Sequence, residues 1–355
     1  MDSPTTNSVL SVRGVGWVTA LGRDPQAVWR RILAGERPVA GVLPGLFGRA
    51  DAPIYAVPLP GEAGFARLRR SSAISHFANA AAADAMQQAA PEPCERMALI
   101  AASSNGAVIY TRKFYAGVLD RGSGSPLLFP ETVYNAPTSH VAARFGIDGT
   151  ALTFVGDATA GADALLAASE MIASGDADRC LIVAAEEADW LVCEAARRWG
   201  LAAPGGEMTI SEGAAALVVG PPGGKFPQIA TVHGGLSYSR PAPLQAGLRR
   251  ILQDLSAKGP ADLVILSASG SRLDREESDA VETILPGIPR IAPKKCLGEA
   301  FSASTLAQAV CAVLAVDDAS ATRVAVPVVG WSGQLGGFVV SGGSGEEPFA
   351  ESSRL

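Results

Sequence analysis

Side chains able to do chemistry are sparse in this chain. Its 355 residues hold three histidines, His76, His140 and His233, and five cysteines, Cys94, Cys180, Cys193, Cys296 and Cys311. No two histidines have the short spacing of a helix-borne metal pair, and no cysteines form a CxxC pair. No metal site is expected. Scattered cysteines in odd number fit reduced thiols in a cytoplasmic protein better than a disulfide frame. What remains is hydroxyls and carboxylates, among them Thr159, Ser267 and Ser269, with Asp157 and Glu299. A serine nucleophile needs a positioned base, and Glu299 could serve as one if burial raised its pKa. Asp157, just ahead of a helical stretch, also suits capping that helix. Gly14-Val-Gly16-Trp-Val-Thr19 offers two glycines of a dinucleotide fingerprint. Its third glycine is missing and no acidic residue closes a second strand, so no nucleotide or other cofactor is expected.

These residues sit in an apolar, mildly acidic chain: 48% hydrophobic, 18% charged, net charge −6. Such a chain buries enough surface to offset its ordering entropy, which excludes disorder. The acidic balance and the lack of a Lys/Arg block argue against nucleic acid. No apolar run reaches the ~18–20 residues of a membrane helix, and polar Met1–Ser8 lacks signal-peptide order. The length fits two domains of roughly 150 residues or one large duplicated unit.

Strand signals fall at Val9–Val12, Gly16–Thr19, Met97–Ala102, Ala151–Val155, Arg179–Ala184, Gly213–Val219, Ile229–His233, Asp262–Ser267, Arg323–Val329 and Gly337–Ser341. Helical signals fall at Pro25–Ala34 (Asp24 as cap, Gly35 as stop), Ser72–Ala89, Gly161–Ser174, Ala242–Ser256 and Ala300–Val316. The stretch 107–134 reads as irregular and carries Tyr110, Phe114, Tyr115, Phe129 and Tyr134. Trp190 and Trp199 are expected to cover the core, and the histidines to be packed or at the surface. Gly220-Pro-Pro-Gly-Gly224 is turn chemistry dividing two halves, 9–220 and 227–341, between tails 1–8 and 342–355. Strand–helix alternation of this kind predicts an α/β fold.

Several segments together resemble the β-ketoacyl synthases, which have the thiolase fold. Val12-Arg-Gly-Val-Gly-Trp-Val-Thr-Ala-Leu-Gly22, with Val28-Trp29 and Leu33-Ala-Gly35, is similar to that family's first strand and helix. Ser211-Glu-Gly-Ala-Ala-Ala-Leu-Val-Val219 resembles its Gly-Glu-Gly-Ala strand. Gly330-Trp-Ser-Gly-Gln-Leu-Gly-Gly-Phe338 resembles its closing glycine-rich turn. The resemblance runs from about Val9 to Ser341 and implies two related α/β halves in a layered α-β-α-β-α arrangement.

The family condenses acyl chains with a cysteine at a helix N-terminus and two histidines. The cysteine segment resembles Gly156-Asp-Ala-Thr-Ala-Gly-Ala-Asp-Ala-Leu165, which puts Ala158 at the nucleophile; a one-residue slip puts Asp157 there. The first histidine's turn resembles Ser267-Ala-Ser-Gly-Ser271, followed by Asp274 and Glu277, so Ser267 takes its place. The second resembles Lys294-Lys-Cys-Leu-Gly-Glu299, with Glu299 in its place. With all three changed, the resemblance implies no condensing activity. It implies instead a silent chain-length-factor-like subunit of polyketide, aryl-polyene or fatty-acid-like biosynthesis. Such a subunit pairs with an active β-ketoacyl synthase, meets acyl carrier protein transiently through that partner, and walls off its acyl tunnel. Phe114, Tyr115, Phe129 and Tyr134, with Phe154 and Asp157, are the tunnel and interface candidates. Ala151–Val155 resembles the strand that pairs across the family's two-fold interface. Two alternatives stand beside this reading. One is an acyl-thioester-handling enzyme using Ser267/Glu299 or Asp157, the other a homodimeric scaffold or carrier-binding module.

Overall fold

Strands buried on both faces read as unbroken apolar runs, and their alternate side chains feed two different cores. A computed structural model of the chain describes residues 5–60, 68, 70–89, 96–202, 208–237 and 241–343. The first part runs β1 (Thr5–Thr6), β2 (Leu10–Val18), α1 (Pro25–Leu33), β3 (Gly41–Leu43), β4 (Ala52–Tyr55), α2 (Ala73–Ala89) and β5 (Met97–Ser103). It continues with α3 (Val108–Arg121), α4 (Ala136–Phe145), β6 (Ala151–Val155), α5 (Thr159–Ser174), β7 (Arg179–Glu186), α6 (Trp190–Arg198), β8 (Ile210–Ser211) and β9 (Gly213–Gly220). The second part runs β10 (Gln228–Ser237), α7 (Pro241–Ser256), β11 (Leu263–Ile265), α8 (Asp274–Ile284) and β12 (Arg290–Ile291). It ends with α9 (Lys294–Leu297), α10 (Phe301–Asp317), β13 (Arg323–Val329) and β14 (Gln334–Ser341).

The two halves repeat one pattern. In the order β2-β9-β7-β5-β6 the pairings are antiparallel, antiparallel, parallel and parallel. In the order β10-β14-β13-β11-β12 they are the same four in the same sequence. The half-sheets join where β10 meets β2, at Gln228↔Ser11 and Ile229↔Leu10. Alternation then sorts the side chains. Cys180, Ile182 and Ala184 of β7 enter the inner core, while Leu181, Val183 and Ala185 face an outer one with α2 and Val141 of α4. On β13, Val324, Val326 and Val328 point inward, and Ala325 and Val329 face α7 and α8. Between the half-sheets lie α5 and α10. The first fifteen residues of α10, Phe301–Ala315, are all buried, as expected of a helix covered on every side. The result is the five-layer α-β-α-β-α arrangement.

Gly14 and Gly16 have a packing role. A Cβ on either would run into the carbonyl oxygen of Ala85 or Ala81, so their bare backbone lets α2 lie directly on β2. Asp24 caps α1 as expected, accepting from the Ala27 amide at 2.6 Å.

Some expectations need correction. The two strand pieces near the N-terminus are one strand, β2, with a register shift between Val12 and Gly14. Thr5 and Thr6 of the expected tail pair with His233 and Val232. His233 does not end its strand, because β10 runs on through Gly234 and Gly235. Most of 107–120 is the helix α3; only Gly117 in it is fully buried, so the apolar periodicity that marks a helix is weak there. Trp190 is buried, but Trp199 is 69% exposed at the end of α6. A small sheet, β3-β4-β8, came with no strong alternation to announce it. Cys94 and residues 344–355 of the expected C-terminal tail lie outside the described residues.

Candidate functional site

The N-terminus of α5 is where a nucleophile would benefit from helix amides, and the structure puts Ala158 there, fully buried and with no reactive atom. Asp157 beside it accepts from the Thr159 amide at 3.3 Å, the local bond expected of a capping carboxylate. Its other oxygen takes the Ser332 amide at 2.5 Å and the Ser332 hydroxyl at 2.7 Å. Gly330 abuts the same carboxylate closely enough to exclude a Cβ. The Thr159 hydroxyl donates to Gln334 Oε1 at 2.7 Å. The β13–β14 turn is thus laid over the start of α5 and holds Asp157 as a structural acceptor.

Ser267 follows the short strand β11. Its hydroxyl donates to Pro327 O at 3.1 Å and accepts from the Val329 amide at 3.1 Å and Gln308 Nε2 at 3.3 Å. No lone pair or proton is left for substrate, and no base stands against it. The turn that follows keeps its scaffold. Asp274 accepts from the amides of Ser269, Gly270 and Ser271, and Glu277 accepts from the Ser267 amide at 2.7 Å. Burial pushes the Glu277 carboxyl up to about 8.

Glu299 is fully buried beside the almost fully buried Lys294, whose Nζ lies 3.1 Å from Oε2. Glu299 Oε1 accepts from the Phe301 amide at 2.8 Å and the Ser304 hydroxyl at 3.2 Å. Those are the first amide and a first-turn side chain of α10, so Glu299 satisfies donors that a helix start leaves open. Phe301 sits at φ +43, a strained value for a bulky residue, and the bond to Glu299 helps hold it.

One helix joins these places. From α10, Ser304 reaches Glu299, Thr305 donates to Ala158 O at 2.5 Å, and Gln308 reaches Ser267. Ser302 donates to Glu186 Oε1 at 2.5 Å. Glu186 also accepts from the amides of Ser104 and Asn105, and burial raises its carboxyl to about 7 against those hydrogen bonds. The structure therefore brings Ala158, with Asp157 beside it, Ser267 and Glu299 onto the first half of α10. Sequence reasoning missed Glu186, Gln308 and Thr305, and gave Lys294 no partner. The signal for Glu186 was present: two carboxylates closing the apolar run Leu181–Ala185 must be buried with it. Cys180, Cys193, Cys296 and Cys311 are buried, and burial raises the Cys193 thiol to about 11, so it is not poised as a thiolate nucleophile. Among the described residues no group of His, Cys, Asp and Glu could hold a metal ion.

The aromatic candidates occupy a different face. Phe114 of α3 meets Tyr115 edge-on, with ring centroids 5.6 Å apart, and Phe129 at 5.7 Å. Tyr115 and Phe129 are more than half exposed. Tyr134 packs instead on Gly106, where a Cβ would lie 2.9 Å from its ring. Phe154 of β6 leans on the inner core. Beside β5, strand β6 forms one edge of the sheet and leaves Leu152 and Val155 exposed.

A layered α/β chain of two like halves, with a helix N-terminus and two loop positions meeting around a central helix, is the thiolase-type architecture. The family model "Beta-ketoacyl synthase, N-terminal domain" matches residues 8–221. This chain belongs to the β-ketoacyl synthase family. Its fold is shared with a β-ketoacyl synthase from Burkholderia phymatum STM815, at TM-score 0.81 and 18% identity over 94% of this chain and 99% of that one. It is also similar to the ishigamide ketosynthase/chain length factor, at TM-score 0.77, 18% identity and coverage of 94% and 99%. A ketosynthase (ApeO) in complex with its chain length factor (ApeC), from Xenorhabdus doucetiae, matches at TM-score 0.77, 16% identity and coverage of 94% and 98%. Among the described residues, no helix is long and apolar enough to cross a membrane.

Proposed function

We propose that this chain is a non-condensing subunit that pairs with an active ketosynthase and shapes that partner's acyl tunnel. The observation that carries the reading is chemical. The thiol and two imidazoles expected of a condensing enzyme are matched by Ala158, Ser267 and Glu299, and the last two are fully engaged in hydrogen bonds or an ion pair. The same saturation counts against an acyl-handling activity at Ser267 and Glu299, and Asp157 is likewise committed to Ser332 and α5. A fold that keeps its scaffold without its chemistry is useful through its surface. The open edge of β6 and the aromatic cluster on α3 supply such a surface, and a bare apolar edge invites pairing. The names of two similar structures, a ketosynthase/chain length factor and a ketosynthase with its chain length factor, support this assignment of partner. Acyl carrier protein is then met transiently, through the active subunit.

Co-expression with an active ketosynthase from the same source tests it. A one-to-one complex on size exclusion, with no acyl adduct on this chain by intact mass after exposure to acyl-carrier thioesters, is expected. A well-behaved monomer that ignores that partner, or a stoichiometric adduct on Asp157, Thr159 or Ser267, overturns it.

A further inference from the structure

The segment between α3 and α4 carries Phe129 on a single 3-10 turn, Phe129–Glu131. Most of its hydrogen bonds are local. Leu128 and Phe129 amides donate to Ser125 O, and the Thr132 amide and hydroxyl both donate to Phe129 O. Glu131 reaches outside the turn: its carboxylate lies 2.9 and 3.1 Å from Nε2 of His140 on α4. Both side chains are only 15% exposed, beneath a patch where Phe129 is 57% exposed. The helix that carries His140 is itself fixed. Ala136, Pro137, Thr138 and Val141 are buried, and the Thr138 hydroxyl meets that of Thr153 on β6 at 2.9 Å. A continuous set of contacts therefore runs from the β6 edge through α4 and the His140–Glu131 pair to the Phe129 and Phe114 rings.

We infer that Glu131 and His140 form a latch that sets where the Phe129 ring stands, and through it where the acyl tunnel ends. This inference rests on the tunnel reading above. Neither residue touches the acyl chain; both are positioning residues. A hydrogen bond to a charged partner inside a poorly hydrated pocket is stronger than the local bonds around it, so it decides the conformation of the short turn. With the latch open, the turn keeps only its local hydrogen bonds and the Phe114 ring contact, the ring swings, and the chain stop recedes.

The test uses the complex with the active ketosynthase that co-purifies in the co-expression above, fed malonyl-carrier substrate, with product length read by mass spectrometry. Glu131→Ala and His140→Ala should each lengthen the major product by at least one extender unit, and the double variant should lengthen it no further. Glu131→Gln, which keeps an acceptor for His140, should retain the original length, whereas Glu131→Met, of similar size but without that acceptor, should lengthen the product as alanine does; a Met variant of unchanged product length would assign the effect to packing and refute the latch. Amide exchange at 128–132 in the complex should rise roughly tenfold in Glu131→Ala. His140→Gln serves if either alanine variant fails to assemble. If Phe129→Ala lengthens the product but the latch variants do not, the latch is refuted while the tunnel reading stands. If Phe129→Ala, Phe114→Ala and Tyr115→Ala all leave product length unchanged in an intact complex, the tunnel reading falls and this inference with it. Unchanged exchange in Glu131→Ala refutes the latch on its own.

Discussion

Placing a histidine at position 299, where the resemblance implies the family's second histidine, should damage the fold before it restores any chemistry. Glu299 is the anion for Lys294 at 3.1 Å, and both are buried. It also accepts from the Phe301 amide at 2.8 Å and the Ser304 hydroxyl at 3.2 Å. Removing one partner of a buried ion pair typically costs about 3–5 kcal/mol, because the other charge is left without solvent or counter-ion. An unpaired buried lysine can escape by losing its proton, which at pH 7 costs about 4–5 kcal/mol, so the two routes agree. Loss of the bonds to the start of α10 adds about 1 kcal/mol. At roughly 2 °C per kcal/mol for a chain of this size, Glu299→His should lower the thermal midpoint by about 8–12 °C. Glu299→Gln keeps acceptors for Phe301 and Ser304 and should lose slightly less. The double variant Lys294→Met/Glu299→Leu should recover most of the loss, since an apolar pair of similar size replaces a buried ion pair at little cost. Thermal unfolding followed by circular dichroism reads all three. A Glu299→His protein as stable as the parent would refute the assignment of this pair as a structural element. A double variant less stable than the single one would refute the desolvation argument.

Ala158→Cys alone should not restore condensation, since Ser267 and Glu299 still stand where the resemblance expects histidines; vigorous turnover by that variant, assayed with malonyl- and acyl-carrier substrates, would show those positions misplaced. Stability should fall as pH rises. Glu186 and Glu277 have folded pKa values raised to about 7 and about 8 from an ordinary 4.5, so the folded state holds their protons more tightly than the unfolded chain does. Their contribution is fully present below about pH 4.5 and is lost as pH rises through 7 and 8, on the order of 3 kcal/mol for Glu186 and 5 kcal/mol for Glu277. Glu277→Gln keeps an acceptor for the Ser267 amide and should flatten the fall between about pH 4.5 and 8; an unchanged slope in a melting series would count against burial as its cause.

Much of the molecule was legible from local pattern. Cys180–Ala184 and Val324–Val329 announce themselves as unbroken apolar runs because the middle of a strand buried on both faces is apolar at successive positions. Asp24, Pro25 and Gly35 mark a helix because caps and stops are local events. The glycine-rich segments, in order, were enough to place the family, and the resemblance they carry implies Ala158, Ser267 and Glu299 at the positions of a thiol and two imidazoles. What those residues do instead was beyond the sequence. That Glu299 is the counter-ion of Lys294 and the anchor of α10 depends on α10 being buried all round, which leaves no water for either charge. That Ser267 is saturated depends on Pro327, Val329 and Gln308, 41 to 62 positions away along the chain. Gly14 and Gly16 offered only two glycines of a dinucleotide fingerprint, and the close approach of α2 that requires them is a tertiary contact. The segment 107–134 hid α3 because a helix that shows most of its surface need not carry an apolar stripe. Spacing along a chain fixes which faces a single element presents, but hydrogen-bond partners and desolvation are set by elements that meet only when the two half-sheets close over α5 and α10.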